Sequence, residues 1–91
     1  MLKPEYTNKF QKDLTLMRKR GLDITKLKAV IEKLVQEDVP LPAQNRDHKL
    51  TGDYAGNREC HVEPDWLLVY CYADDVIVFA RTGTHADIFR R

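Results

Sequence analysis

The sequence predicts an α+β domain in which two N-terminal helices pack on an antiparallel sheet of about four to five strands. Three observations carry this. Two successive stretches place apolar residues at helical spacing, prolines at 40 and 42 break the pattern, and the second half holds short β-branched and aromatic runs separated by turn residues. The chain of 91 residues is expected to form one domain over 1–91, since domains usually take roughly 100–200 residues. With 43% hydrophobic and 32% charged residues it has enough apolar side chains for a core, which argues against a disordered or collagen-like chain.

Residues 2–5 are a short extended piece that could supply a strand. Tyr6, Phe10, Leu14 and Met17 then follow the stride of one helical face. Thr7 or Asn8 could cap this helix, and Gly21 follows a cationic last turn, Arg18-Lys19-Arg20, suited to the negative end of the helix dipole. A second helix is predicted from Ile24, Leu27, Val30, Ile31, Leu34 and Val35, with Asp23 as its N-cap. The few residues around Gly21 suggest an antiparallel helical hairpin whose apolar stripes share a core. Pro40-Leu41-Pro42 forbids further helix and opens a polar connector through Asp47. The stretch near residues 48–50 could form a strand. Residues 58–62 read as an edge strand with Cys60 and Val62 on one face and Glu59 and His61 on the other. Residues 66–72 and 76–80 are the stronger strands, expected at the centre of the sheet, and Ala73-Asp74-Asp75 is the hairpin turn between them.

Composition also narrows the function. The longest uncharged run, residues 66–73, is too short to span a bilayer, and the first residues lack the apolar stretch of a signal peptide, so a cytoplasmic protein without membrane partners is expected. Cys60 and Cys71 lie eleven apart without a metal-finger spacing and are expected to be reduced thiols. The formal charge of +1 conceals a gradient: residues 1–46 hold ten Lys/Arg against six Asp/Glu, whereas residues 47–91 hold five against eight. Any phosphate contact should therefore come from the first half, with Lys19 and Arg20 in its densest cluster; the competing reading is a solvated helix face.

All three histidines, His48, His61 and His85, fall in the sheet half, beside turns or strand ends where function usually sits. Imidazoles titrate near neutrality, so such a set can both accept and donate protons. Asp65 is a poor base at neutral pH unless its surroundings raise its pKa above the reference of about 3.9. Trp66 and Phe89 offer faces on which an unstacked base could lie, and Arg81 could neutralise charge on a phosphate. Each has a structural rival: Trp66 as core and Arg81 as an ion pair. Phe89, so near the last residue, calls for a docking surface. The histidine gaps of thirteen and twenty-four residues match no short zinc motif, and Gly52, Gly56 and Gly83 form no phosphate-binding loop, so neither metal nor cofactor is expected.

The blocks Asp47-His48-Lys49-Leu50-Thr51-Gly52, Arg58 through Tyr70 with its His-Val-Glu-Pro-Asp-Trp core, and Arg81-Thr82-Gly83-Thr84-His85-Ala86-Asp87-Ile88-Phe89 closely resemble the YafQ branch of the RelE/ParE toxin superfamily. The resemblance extends to Phe10-Gln11-Lys12-Asp13 and to Leu41-Pro42, in order and spacing. It implies a RelE-like fold and a type II toxin: a ribonuclease that enters the ribosomal A site, cuts mRNA there, and is silenced by a cognate antitoxin of DinJ or RelB type. Ribosome, 16S rRNA and mRNA are then its targets, and any operator DNA binding by the toxin–antitoxin complex falls to the antitoxin. The family's functional residues match His48, His61, Asp65, His85 and Phe89, with Trp66 at a neighbouring motif position. Metal-free cleavage would make His85 the general acid and His48 or Asp65 the base, with His61 orienting the phosphate or a carboxylate. The rival within the same fold is a ParE-like toxin that inhibits a topoisomerase by binding and cuts nothing; three imidazoles and an aspartate argue against it. A DNA-binding protein is disfavoured because no base-reading element is visible.

Overall fold

Thr7 opens the first helix, α1 (Asn8–Lys19): its side chain accepts the backbone N–H of Phe10, and its own hydroxyl donates to the carbonyl of Ala80 at 2.8 Å. A cap that also ties the helix to a strand serves two purposes with one side chain. Asp23 caps α2 (Ile24–Val35) by accepting from the backbone of Thr25, as its spacing predicted. The reversal between the helices passes through Gly21 at φ 80°, a conformation glycine adopts without steric cost. The computed structural model describes residues 1–90.

The sheet has five strands: β1 (Lys3–Tyr6), β2 (His48–Lys49), β3 (Arg58–Glu63), β4 (Trp66–Ala73) and β5 (Val76–Gly83). Their spatial order is β1-β5-β4-β3-β2. Two expectations change here. The sheet is mixed and not wholly antiparallel, because β1 runs parallel to β5, Lys3 facing Val76 and Tyr6 facing Phe79. Nearly the whole chain separates these strands, so no tight turn dictates their sense. Residues 58–62 are not an edge either. β3 lies between β4 and the two-residue β2, which is too short to show periodicity in the sequence. The hairpin between β4 and β5 turns at Asp74-Asp75, with Asp74 left-handed at φ 54°, a conformation that aspartate tolerates better than most residues.

Both sheet faces are covered. Phe10, Met17, Leu27 and Leu34 of the two helices pack with Cys60, Trp66, Leu68, Tyr70, Ile77 and Phe79. On the other face Leu67 and Val69 meet Ile88, with Leu50, Tyr54, Ala80 and Phe89 at the margin. This is why β4 reads as an unbroken apolar run: residues 66–70 are all buried. Ile88 and Phe89 belong to α3 (His85–Phe89), a one-turn helix not foreseen from the sequence, since five residues show no periodicity. It starts with a capping box in which Thr84 and Asp87 satisfy one another's backbone N–H groups.

Beyond the reach of β1, α1 takes over the open edge of β5. Asp13 accepts the edge N–H of Thr82 at 3.1 Å together with Nε and Nη2 of Arg81 at 2.7 and 3.2 Å. An unpaired strand edge is thereby closed by a helix side chain.

Candidate active site

Strand pairing brings the three histidines to one end of the sheet, on the face away from α1 and α2. His48 of β2 stands opposite Glu59 of β3, and His61 lies two residues further along the same face. His61 in turn pairs with Leu67, whose other neighbour is Gly83, two residues before His85. Three segments distant in the chain thus converge on an open cleft of about 1140 Å³. Its lining includes Lys9, Arg46, His48, Glu59, His61, His85 and Phe89. A register shift between His61 and Glu63 marks the point where β3 turns towards Asp65, the kind of irregularity that re-aims side chains beside active sites.

One hydrogen-bond pattern recurs at each imidazole. Nδ1 of His48 lies 2.6 Å from the carbonyl oxygen of Arg46, Nδ1 of His61 lies 3.1 Å from that of Pro64, and Nδ1 of His85 lies 2.6 Å from Oδ1 of Asp65. Carbonyl and carboxylate oxygens only accept, so each Nδ1 carries a hydrogen and each Nε2 is left for chemistry. Nε2 of His61 and of His48 lie 3.5 and 3.8 Å from the two oxygens of Glu59, whose side chain is only 5% exposed. The His61 and His85 rings are 5.7 Å apart, and Phe89 sits 6.5 Å from His85. Phe89 is docked, as anticipated, edge-on against Tyr54 at 5.3 Å.

Asp65 occupies the turn between β3 and β4 and accepts both the backbone N–H and the ring N–H of His85. These bonds hold its carboxyl below the usual aspartate range. A weakened base is the opposite of what a proton acceptor requires, so the geometry favours an orienting role over the basic one considered above. Asp47, by contrast, is drawn inwards, where Tyr70 donates to it at 2.6 Å and Arg58 at 3.3 Å, anchoring the segment that carries His48.

Other expected residues fall elsewhere. Trp66 is 2% exposed and its indole N–H donates to Thr82 at 2.9 Å, so it is a core residue and offers no face to a base. Arg81 is committed to Asp13 in a pair that is largely buried, and is not in the cleft lining. Arg20 is likewise engaged, forking onto Asp87 at 2.6 and 2.9 Å. Lys19 is exposed but does not line the cleft. The residues missed are Glu59, Lys9 and Arg46. Strand alternation placed Glu59 beside His61, a signal for the first; nothing in the sequence pointed to the other two. Ligand atoms of Glu59, His61 and His85 lie within 4.8 Å of one another, so this trio, and not the three histidines, could hold a cation among the described residues.

The sequence pattern of one family, described as "Bacterial toxin of type II toxin-antitoxin system, YafQ", matches residues 2–90. The chain is similar to the mRNA interferase toxin YafQ of Escherichia coli strain K12, with 46% identity over 85 residues, 93% of this chain and 92% of that protein. Among solved structures it is similar to the toxin of the E. coli DinJ–YafQ complex, with a TM-score of 0.91 at 44% identity, covering 98% of this chain and 99% of that one. It is also similar to a metal-bound toxin from Helicobacter pylori, with a TM-score of 0.90 at 38% identity, covering 98% and 100%.

Proposed function

The chain belongs to the YafQ family of bacterial type II toxin–antitoxin toxins, and on that basis we propose that it is an mRNA interferase held inactive by a DinJ-like antitoxin. The E. coli relatives it matches at 46% identity are named mRNA interferase toxins, which supports this reading over the topoisomerase-binding alternative. We place its action in the cytoplasm, on mRNA in the ribosomal A site, with 16S rRNA as the surrounding surface. No helix among the described residues is long and apolar enough to cross a membrane.

One observation supports the chemistry: three imidazoles, each held by Nδ1, line one shared cleft. Cleavage of RNA without a metal removes the proton of a 2′-hydroxyl, forms a bond from that oxygen to phosphorus, and breaks the bond to the 5′-oxygen, which takes a proton. The products are a 2′,3′-cyclic phosphate and a 5′-hydroxyl end. His85 is the acid, because Asp65 stabilises its imidazolium and aims Nε2–H outwards. His48 is the base, and buried Glu59 stabilises the imidazolium formed there once the proton arrives. His61, fixed on the carbonyl of Pro64, presents a donor to the phosphate oxygens as the imidazolium, which Glu59 beside its Nε2 stabilises. Phe89 is the stacking surface for a base beside the scissile bond.

Cleavage of mRNA on programmed ribosomes tests this reading. His85→Ala and His48→Ala should each slow it by about 10²–10⁴-fold, the usual contribution of a positioned acid or base. Asp65→Ala should cost less than His85→Ala because it removes an orienting group. Wild-type rates for His48→Ala, His61→Ala, Asp65→Ala and His85→Ala alike would end the catalytic reading.

A further inference from the structure

We infer that Arg20 and Asp87 form a clamp that sets the rotation of α3 and so aims His85 and Phe89 into the cleft, making both positioning residues for cleavage; this rests on the nuclease reading above. A five-residue helix cannot hold itself in place, since isolated helices shorter than about 12–15 residues are marginal in water. Its orientation must come from outside. At about 100° per residue, His85 and Phe89 share one side, Ile88 points elsewhere into the core beneath the sheet, and Asp87 lies at about 200° from His85, on the far side.

Arg20 reaches Asp87 from there. It is the C-cap of α1, 67 residues earlier in the chain, and its two terminal nitrogens meet the two carboxylate oxygens at 2.6 and 2.9 Å. Two parallel bonds define a plane, whereas a single one leaves a swivel. The same carboxylate accepts the N–H of Thr84 at 2.9 Å, so helix start, helix back and α1 are joined at one group. Gly83 completes the fit: a Cβ there would lie 2.9 Å from that of Asp87, so the strand end is pressed against the residue being clamped. The buried Ile88 stops α3 from lifting, and the Arg20–Asp87 fork stops it from turning. Because α1 is itself fixed to β5 through Thr7 and Asp13, the clamp refers the acid to the rigid sheet.

The experiment is single-turnover mRNA cleavage over a series of ribosome concentrations, with Tm recorded for every variant. Asp87→Asn keeps an amide oxygen for Thr84 and removes the charge pair; Arg20→Gln removes the fork. Each should lower the rate at saturating ribosomes about tenfold, a small misplacement's worth, while leaving the half-saturating ribosome concentration unchanged within about twofold. The double variant should be no slower than the slower single one, since either change opens the same clamp. Wild-type rates in Asp87→Asn would overturn the inference. So would a raised half-saturating concentration confined to Arg20→Gln, because the arginine would then be gripping RNA. Failure of the nuclease reading looks different: the unaltered chain would not cut, or His85→Ala would cut at its full rate.

Discussion

In the proposed reaction, what would fit His48, His61 and His85 for catalysis is what holds their other nitrogen. A carbonyl, a carbonyl and a carboxylate each take Nδ1–H, and this choice of tautomer decides which way the chemistry faces. The contrast between the neighbours Asp65 and Trp66 is as informative. One is at the surface, pulled towards ionisation by His85, and the other is core with a satisfied indole. Asp87 carries a consequence for acid stability. Hydrogen bonds from Arg20, and secondarily those of the cap, hold its carboxyl far below the usual range. An unfolded aspartate titrates near about 3.9. Between the folded and unfolded values the unfolded chain binds more protons, so stability rises with pH there, is complete above that interval, and is lost as pH falls through it. Asp87→Asn should therefore lower Tm clearly at pH 6 and progressively less towards pH 2.5. Melting curves that differ by the same amount at both pH values would contradict this. Cys60 shows the reverse effect: burial pushes its thiol up to about 12, leaving it inert.

At the scale of elements, the helices and the hairpin were legible because their signals are local. Caps and apolar spacing lie within a few residues of each other, and so α2 is capped by Asp23 as read and α1 by Thr7, one of the two residues its spacing offered. What spacing could not convey is that Thr7 also holds β5. Thr7→Ala should cost about 1–2 kcal/mol, since both the N-cap and the bond to Ala80 are lost. Thr15→Ala is the control, because Thr15 only back-bonds to the carbonyl of Gln11 on an exposed helix face. That change should be neutral or slightly stabilising by helix propensity. Urea unfolding of the two variants checks the difference, and equal destabilisation would mean the cap does not couple helix and strand.

Across the whole molecule, the division of charge at residue 46 is real but its meaning shifts. A basic helical half gripping RNA and a histidine half cutting it is too simple, because Lys9 and Arg46 of the first segment line the same cleft as the histidines. Arg20, counted earlier among the gripping cations, is spent within the fold. Phosphate contact is thus expected at the cleft rim. Lys9→Ala and Arg46→Ala should each flatten the dependence of log affinity for ribosomes on log salt by about one unit, whereas Lys19→Ala should change the slope less. Binding titrations over a range of potassium concentrations measure this. A slope altered only by Lys19→Ala would return the grip to the helix face.

The sequence by itself determined the two helices, the β4–β5 hairpin, the family motif blocks and the segregation of all three histidines, since each is a matter of residues close together or of order along the chain. Only the tertiary structure decided that β1 joins β5 in parallel, that Glu59 faces His48 as well as His61, that Asp65 accepts both the backbone and ring N–H of His85, and that Arg20 and Arg81 answer to Asp87 and Asp13. The Asp65–His85, Arg20–Asp87 and Arg81–Asp13 pairs are 20, 67 and 68 residues apart. Such partnerships are set when strands choose neighbours and register, and no periodicity records that choice. A charged residue in the sequence states what it can pair with; the sheet decides what it meets.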